Sequence, residues 1–460
     1  MAAPLSEHPG LPSCFKAYDI RGRVPDEINA DFARRLARAY ADFLNPENVA
    51  IGYDARLSGP ELAEALADTF SINGIGVTEI GAVTTEELYF ATASLGLDGG
   101  IMVTASHNPA ADNGFKLVRR GARPISADTG IAEIGARLDL PDRRPSARGS
   151  RRTVDIRSPL ALYLTEHFGI ATSRPLRIVA NAGNGMAGPL VRELAGSFGF
   201  EWIWLHERPD GRFPHGVPNP LLPENRSETA QLVRATGADL GLAWDGDADR
   251  CFFYDETGRF IESYYLVGLL AAHLLAGSPG ELIVHDPRLV WNTREIVLAS
   301  GGETLCTKSG HAFIKEAMRE RKALYGGEMS GHHYFRDFFY CDSGMAPWLL
   351  LTRIMIESGR SLSQLVEDRI ARYPISGEIN RSVRDPEATL ARIAERYVPG
   401  ARSVDSTDGL SIEYENWRFN VRLSNTESLL RLNIETRHDP RLLVRETAAL
   451  LRELERHEAG

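Results

Sequence analysis

The chain has 460 residues, with 52 Lys+Arg against 62 Asp+Glu and a formal net charge of -10. Hydrophobic residues at 43% and charged residues at 25% exclude a disordered or fibrous chain, and the length implies three or four domains rather than one core. The acidic balance argues against nucleic acid or an anionic membrane as partner, since both need a basic face, so an anionic small substrate must be met by local cations.

From its first residues, M-A-A-P-L-S-E-H-P-G, the chain lacks the basic and apolar regions of a signal peptide. Apolar β-rich runs then alternate with amphipathic stretches, which predicts α/β architecture. A strand is expected over Val49 to Tyr53, followed by a helix over about 59–71 in which Ser58 and Glu61 form a capping box. Ile101 to Thr104 reads as a strand ending in a polar loop. Pro141 to Thr153, rich in arginine, reads as a solvated loop at a domain boundary. Arg177 to Ala180 is a strand followed by N-A-G-N-G-M-A-G-P, with Pro189 near the first turn of a helix. Leu240 to Trp244 is a strand running into an acidic loop, and Asp255 to Gly258 is a turn between short strands. Tyr264 to Gly277 is apolar but too short to span a bilayer, and reads as a buried helix. Beyond about 377 the pattern becomes strand, helix, several strands and a last helix, as in a small α+β domain. The four cysteines are far apart, which suits reduced thiols and a cytoplasmic location and suggests neither disulfides nor zinc. Only five of the 52 cations are lysine, so each (Lys16, Lys116, Lys308, Lys315, Lys322) is mildly informative. Lys315 and Lys322 fall on an expected helix and look incidental.

Several loops could carry chemistry. In T-A-S-H-N-P at 104–109, a strand delivers Ser106 to a turn-rich loop, as a covalent nucleophile requires, although an isolated turn serine usually bonds its own backbone. His107 is adjacent, but neighbouring side chains usually diverge. No G-x-S-x-G and no Walker A lysine occur, which removes support for acyl transfer and P-loop chemistry. In D-G-D-A-D-R, the carboxylates of Asp245, Asp247 and Asp249 repel one another by ~4 kcal/mol per close pair, and a magnesium, manganese or calcium ion would relieve this. An EF-hand is excluded because Arg250 stands where its loop needs glycine and both flanks read as strands. G-E-M-S-G-H at 327–332 offers Glu328, Ser330 and His332 as a sugar-hydroxyl site, with a structural turn equally compatible. Lys308 and His311 in T-K-S-G-H stand at an expected helix start, where an anion could bind. In R-L-S-N-T-E-S, Arg422, Ser424, Asn425 and Thr426 could wrap a phosphate, or form a plain β-turn.

In this order, and together with F-K-A-Y-D-I-R-G at 15–22 and G-Y-D-A-R-L-S-G at 52–59, these motifs resemble the α-D-phosphohexomutase family, in its bacterial phosphomannomutase/phosphoglucomutase branch. The resemblance runs from about Phe15 to Glu435. It implies three similar α/β domains with mixed sheets and a smaller C-terminal α+β domain around a central cleft. The expected divisions are 1–153 with the phosphoserine loop, 154–256 with the metal loop, 257–371 with the sugar-binding loop and 372–460 with the phosphate-binding loop. Ser106 is then carried as a phosphoserine, with Asp245, Asp247 and Asp249 holding Mg2+ beside it, the serine's phosphate included among the ligands. The catalytic set is Ser106, His107, Lys116, Arg250, His332 and Arg21, with His332 the first choice of general base and His311 the second. The substrate set is Tyr18, Arg288, Lys308, His311, Glu328, Ser330, Arg422, Ser424, Asn425 and Thr426.

The implied reaction moves a phosphoryl group between the 1- and 6-positions of glucose or mannose phosphates, with glucose 1,6-bisphosphate as intermediate and activator. The partners expected are hexose phosphates, with no nucleic acid and no membrane, and the chain is expected to be a monomer. A phosphoglucosamine mutase is the nearest alternative, against which Met329 stands, because amino-sugar relatives usually carry glutamine there. A sugar-phosphate phosphatase would use the same phosphoserine but lose it to water. A non-catalytic sensor is disfavoured by the intact serine and acidic triad.

Overall fold

The computed structural model describes residues 11–142, 147–170, 174–423 and 429–455. Two compact units emerge, one of Met1–Phe260 with His332–Gly359 and the other of Ile261–Gly331 with Arg360–Gly460.

The first unit begins with β1 (Ile20–Arg23), α1 (Ala30–Leu44), β2 (Asn48–Tyr53), α2 (Gly59–Ile72), β3 (Gly76–Ala82), α3 (Thr85–Ser94), β4 (Gly99–Val103), β5 (Asp112–Arg119), β6 (Arg123–Pro124), α4 (Ile131–Gly135) and β7 (Arg151–Thr153). The strand order is β1-β5-β4-β2-β3-β7, with β6 on β5. The inner pairs β2–β3 and β2–β4 are parallel, while β5 runs antiparallel to β4 and β1. Helix α1 shows why the local sequence folds as it does. Asn29 caps it by accepting from the Phe32 N–H, and Phe32, Leu36 and Tyr40 at helical spacing enter the core with Val49, Ile51, Ile101 and Phe115. Two expectations fail here. Ser58 makes no cap, because its hydroxyl accepts from the Asn113 side chain instead. Residues 151–153 are a strand parallel to β3 rather than loop, since Arg151 pairs with Glu64, Asp68 and Glu79 along that edge.

The unit continues through α5 (Arg157–Phe168), β8 (Arg177–Asn181), α6 (Ala187–Ala195), β9 (Glu201–Leu205), α7 (Ser227–Thr236), β10 (Leu240–Trp244), β11 (Cys251–Tyr254) and the short β12 (Phe260–Ile261). Parallel β9, β8 and β10 are followed by antiparallel β11, so the 245–250 loop is a tight connection at the end of β10.

In the second unit, α8 (Ser263–Gly277) is the expected apolar helix, followed by β13 (Leu282–His285), α9 (Trp291–Ala299), β14 (Glu303–Cys306), α10 (His311–Arg321) and β15 (Tyr325–Gly327). Both β14 and β15 pair parallel to β13. Lys315 on α10 is fully buried. The chain then contributes β16 (His333–Phe335), β17 (Cys341–Asp342) and α11 (Ala346–Ser358) to the first unit, the two strands forming an antiparallel hairpin. It returns to the second unit with α12 (Leu362–Arg372), β18 (Ile379–Ser382), α13 (Pro386–Tyr397), β19 (Ser403–Asp405), β20 (Leu410–Glu413), β21 (Trp417–Leu423), β22 (Leu429–Thr436) and α14 (Pro440–Glu455). This last sheet is antiparallel, in the order β18-β22-β21-β20-β19. The class is therefore three α/β domains with mixed sheets followed by an α+β domain. Among the described residues, no helix is long and apolar enough to cross a membrane.

Candidate active site

Ser106 follows β4 in a loop held from both sides by the turn that ends β2. Its φ is +49°, a left-handed backbone that a non-glycine residue adopts only under tertiary constraint. The Ser106 N–H donates to Thr104 Oγ1 at 2.8 Å, and that hydroxyl donates to Asp54 at 2.6 Å. The fully buried Arg56 donates to four carbonyls of the loop: Ser106 (3.0 Å), Asn108 (2.7 Å), Pro109 (2.6 Å) and Asp112 (2.7 Å). Arg21 on β1 completes the frame, bonding the Asn108 side chain at 2.9 Å while Asp19 holds its Nε at 2.7 Å. Tyr18, two residues before β1, is half-buried.

The metal loop packs directly on this serine. A Cβ on Gly246 would lie 2.4 Å from the Ser106 carbonyl oxygen, so only glycine permits the approach. Ser106 Oγ is 2.9 Å from Asp245 Oδ2 and 3.0 Å from His107 Nδ1. The neighbouring side chains thus converge, contrary to the sequence expectation, because the left-handed Ser106 turns the two onto one side. Nδ1 also accepts from Arg250, and burial with Arg250 and Arg21 nearby holds His107 well below the usual imidazole range, hence neutral. With the single lone pair of Nδ1 claimed by a guanidinium, the Ser106 proton is directed to Asp245.

All three aspartates are buried, with ligand atoms within 4.8 Å of one another. Arg250 donates twice to Asp245 Oδ2, at 2.9 and 2.7 Å. Lys116, paired on β5 opposite Met102 of β4, reaches Asp247 Oδ2 at 2.6 Å and also bonds Asp249. Burial would lower the Lys116 pKa, but Asp247 and Asp249 outweigh it and hold the ammonium above its ordinary value. Asp245 is raised by burial, an effect that Arg250 only partly offsets. Asp247 is also opposed by burial and by Asp249, yet the Lys116 charge and bonds from Lys116 and Thr85 bring it below the ordinary carboxylate range. Asp247 Oδ1 is buried and has no hydrogen-bond partner among the described residues. An all-oxygen set with a buried, unsatisfied carboxylate oxygen fits a hard divalent cation. His332 lies 3.7 Å from Asp249 through Nε2, and with Asp342 these two form a second close group of ligand-type atoms.

The second unit gathers the other predicted residues. Arg288 donates to Asp286 at 2.8 Å and stands 3.4 Å from each of Glu328, Ser330 and Glu378. Glu328 accepts the Gly310 N–H at 2.8 Å, tying it to the turn that carries Lys308 into α10, whose first residue is His311. Lys308 is exposed beside the Phe313 ring. Arg422 faces the same Glu378 at 3.5 Å, and Asp408 at 3.9 Å. Ser424, Asn425 and Thr426 lie outside the described residues.

Sequence reasoning left Arg56, Thr85 and Glu378 out of the candidate set. Arg56 falls inside G-Y-D-A-R-L-S-G, so its motif was visible but its task was not. Glu378 sits among Arg288, Arg431 and Arg422, which overcome burial to keep it below the usual carboxylate range, and no local pattern announces it.

A buried serine hydroxyl set against an acidic triad that fits a hard divalent cation is a site suited to group transfer of the phosphoryl kind. Family models for phosphoglucomutase/phosphomannomutase match in succession: alpha/beta/alpha domain I over residues 12–142, domain II over 163–258, domain III over 262–373 and the C-terminal domain over 378–452. The chain belongs to the phosphoglucomutase/phosphomannomutase family and is a mutase. It is 51% identical over 448 residues to a phosphomannomutase of Salmonella montevideo, covering 95% of this chain and 98% of the relative. It is 54% identical over 432 residues to a Xanthomonas campestris protein named phosphohexose mutases, covering 93% and 96%. Among solved structures, a phosphoglucomutase/phosphomannomutase family protein from Burkholderia thailandensis superposes with a TM-score of 0.88 at 33% identity, over 98% of each chain. An N-acetylphosphoglucosamine mutase from Aspergillus fumigatus, at 14% identity and a TM-score of 0.58, shares the fold.

Proposed function

We propose that this mutase interconverts the 1- and 6-phosphates of glucose and mannose, through phospho-Ser106 and a hexose 1,6-bisphosphate. The observation that carries the reading is Ser106 Oγ, buried, 2.9 Å from Asp245 and approached by Arg250. The names of the phosphomannomutase relatives agree with the substrate class.

In the proposed reaction, a hydroxyl of the bound hexose phosphate attacks the phosphorus of phospho-Ser106. A new O–P bond forms, the Oγ–P bond breaks, and the hydroxyl proton passes to His332, with His311 as the second candidate. The resulting 1,6-bisphosphate presents its other phosphate, which returns to Ser106 by the reverse steps. Little covalent help is needed beyond in-line positioning and charge neutralisation, which Lys116 and Arg250 are suited to give. Mg2+ held by Asp245, Asp247, Asp249 and the phosphoserine would supply further neutralisation of the transferring group. Arg56 and Arg21 keep the serine loop in its strained form, and His107 fixes the Arg250 guanidinium. In this reading, Glu328, Ser330 and Arg288 hold sugar hydroxyls, while Arg422, Ser424, Asn425 and Thr426 hold the non-reacting phosphate. Tyr18, Lys308 and His311 assist binding. The four functional segments are 1–153, 154–256, 257–371 and 372–460.

The test joins intact-protein mass spectrometry with kinetics. One phosphate on Ser106, lost in Ser106→Ala along with activity, is expected. An unphosphorylated serine with full activity in Ser106→Ala would sink the mechanism. Release of inorganic phosphate faster than isomerisation would mark a phosphatase instead.

A further inference from the structure

Three pieces of the first unit meet at one helical turn: the metal loop, the hairpin that follows His332, and the start of α5. That turn is the beginning of α3, Thr84-Thr85-Glu86-Glu87, in which all four side chains are buried. Each has a different task. Thr84 and Glu87 cap the helix reciprocally, and Glu87 also takes Arg157 of α5 at 3.0 Å. Glu86 accepts from the Ser343 hydroxyl, which itself accepts from the N–H groups of Met345 and Ala346 at the start of α11. The Ser343 N–H donates to the His333 carbonyl at 3.1 Å, so the hairpin after His332 is pinned to the same point.

Thr85 turns to the metal loop. Its N–H, one of the helix-terminal donors without an intrahelical partner, donates to the Asp247 carbonyl at 2.9 Å. Its hydroxyl donates to Asp247 Oδ2 at 2.5 Å. One residue therefore fixes both the main chain and the side chain of the central aspartate. Lys116 takes the same Oδ2 at 2.6 Å, which leaves Oδ1 as the free, oriented acceptor. The loop is backed from its other side, where a Cβ on Gly344 would fall 2.2 Å from the Ala248 carbonyl, and Trp244 donates to the Gly344 carbonyl at 2.9 Å.

From this geometry we propose that Thr85 is the positioning residue for the metal loop, setting the rotamer of Asp247 so that Oδ1 faces the cation, and that the α3 turn registers this loop against the His332 hairpin. A hydroxyl at the first helical position suits the task, because it donates to the carboxylate while the same residue's N–H holds the Asp247 carbonyl. Lys116 cannot substitute, since a flexible four-carbon stem fixes charge but not orientation. The inference rests on the metal reading of the triad given above.

The test measures Mg2+ affinity by calorimetry, with kcat and KM for a hexose phosphate, in wild type, Asp247→Ala, Thr85→Val and Thr85→Ser. Removing a partner that orients a metal ligand costs roughly 10–100-fold in metal affinity or activity. Thr85→Val is expected to weaken Mg2+ binding and lower kcat by about 10-fold or more while KM stays within about 2-fold, and Thr85→Ser to restore both. Should the valine variant not fold, Thr85→Ala carries the same expectation. Normal Mg2+ affinity and kcat in Thr85→Val, or equal losses in the serine and valine variants, would overturn the proposal. If wild type binds Mg2+ and Asp247→Ala does not, the metal reading stands independently of the Thr85 result. If wild type binds none, both readings fall.

Discussion

A single guanidinium shapes the serine loop more than any residue chosen from the motifs. Arg56 answers four carbonyl oxygens of the loop, of which the Pro109 oxygen also accepts the Asp112 N–H, and so braces the left-handed Ser106. Each buried acceptor left unmade costs about 1–3 kcal/mol. Arg56→Met is therefore expected to lower kcat by 10-fold or more (about 1.4 kcal/mol or above) and to lower the denaturation midpoint, with less phosphate retained on Ser106 by mass spectrometry. Wild-type kinetics in a folded Arg56→Met protein would show that the loop holds itself. The triad makes a second expectation at this scale. Chelation should abolish turnover and added Mg2+ restore it, because the three buried carboxylates carry more negative charge than Lys116 and Arg250 bring to them. Activity unaffected by exhaustive chelation would exclude the metal reading.

At the scale of the element, the first turn of α3 is electrostatically costly as well as organising. Burial raises the Glu86 carboxyl to about 8, which the Ser343 hydroxyl bond only partly counters. In the unfolded chain a glutamate titrates near ~4.3. Between these values the folded state binds the extra proton, so stability falls as pH rises through that window and is not penalised below it. The full penalty, on the order of a few kcal/mol, is present only above the folded value. Glu86→Gln should flatten the loss of stability between about pH 5 and 8, read as the difference in urea midpoint from wild type. An unchanged slope would mean that the neighbouring carboxylates carry the titration. Glu328 and its loop illustrate the same dependence on context: the motif G-E-M-S-G-H is short, and its meaning comes from Arg288 and Gly310 on other elements.

For the molecule as a whole, the net charge of -10 has to be reconciled with an anionic substrate. The cations named here are gathered rather than spread, with Arg21, Lys116 and Arg250 about the serine and Arg288 and Arg422 about Glu378. Such local positive groups act on a phosphate over about a Debye length, so KM for hexose phosphates should rise between low and physiological salt while kcat changes little. A KM that is flat or falls with salt would count against capture of the substrate by these cations. Met329, buried and in contact with Asn433, is the third residue of G-E-M-S-G-H. It is expected to favour glucose and mannose 1-phosphates over glucosamine 1-phosphate in kcat/KM, and a preference for the amino sugar would reverse that reading.

The linear sequence determined the alternation of strands and helices, the change to an α+β pattern near residue 377 and the serine and acidic motifs, because each is encoded in local spacing and turn chemistry. It misplaced the Ser58 cap and the 151–153 strand, since each depends on a partner distant in the chain: Asn113 in one case, and Glu64, Asp68 and Glu79 in the other. Only the tertiary structure decided that His107 turns to Ser106 but is claimed by Arg250, that Arg56 grips the serine loop, and that Thr85 aligns Asp247 across 162 positions. The physical reason is the same throughout. A motif states which groups are available, but a buried polar group is oriented by whichever donor or acceptor the fold brings within reach, and that partner leaves no local mark in the sequence.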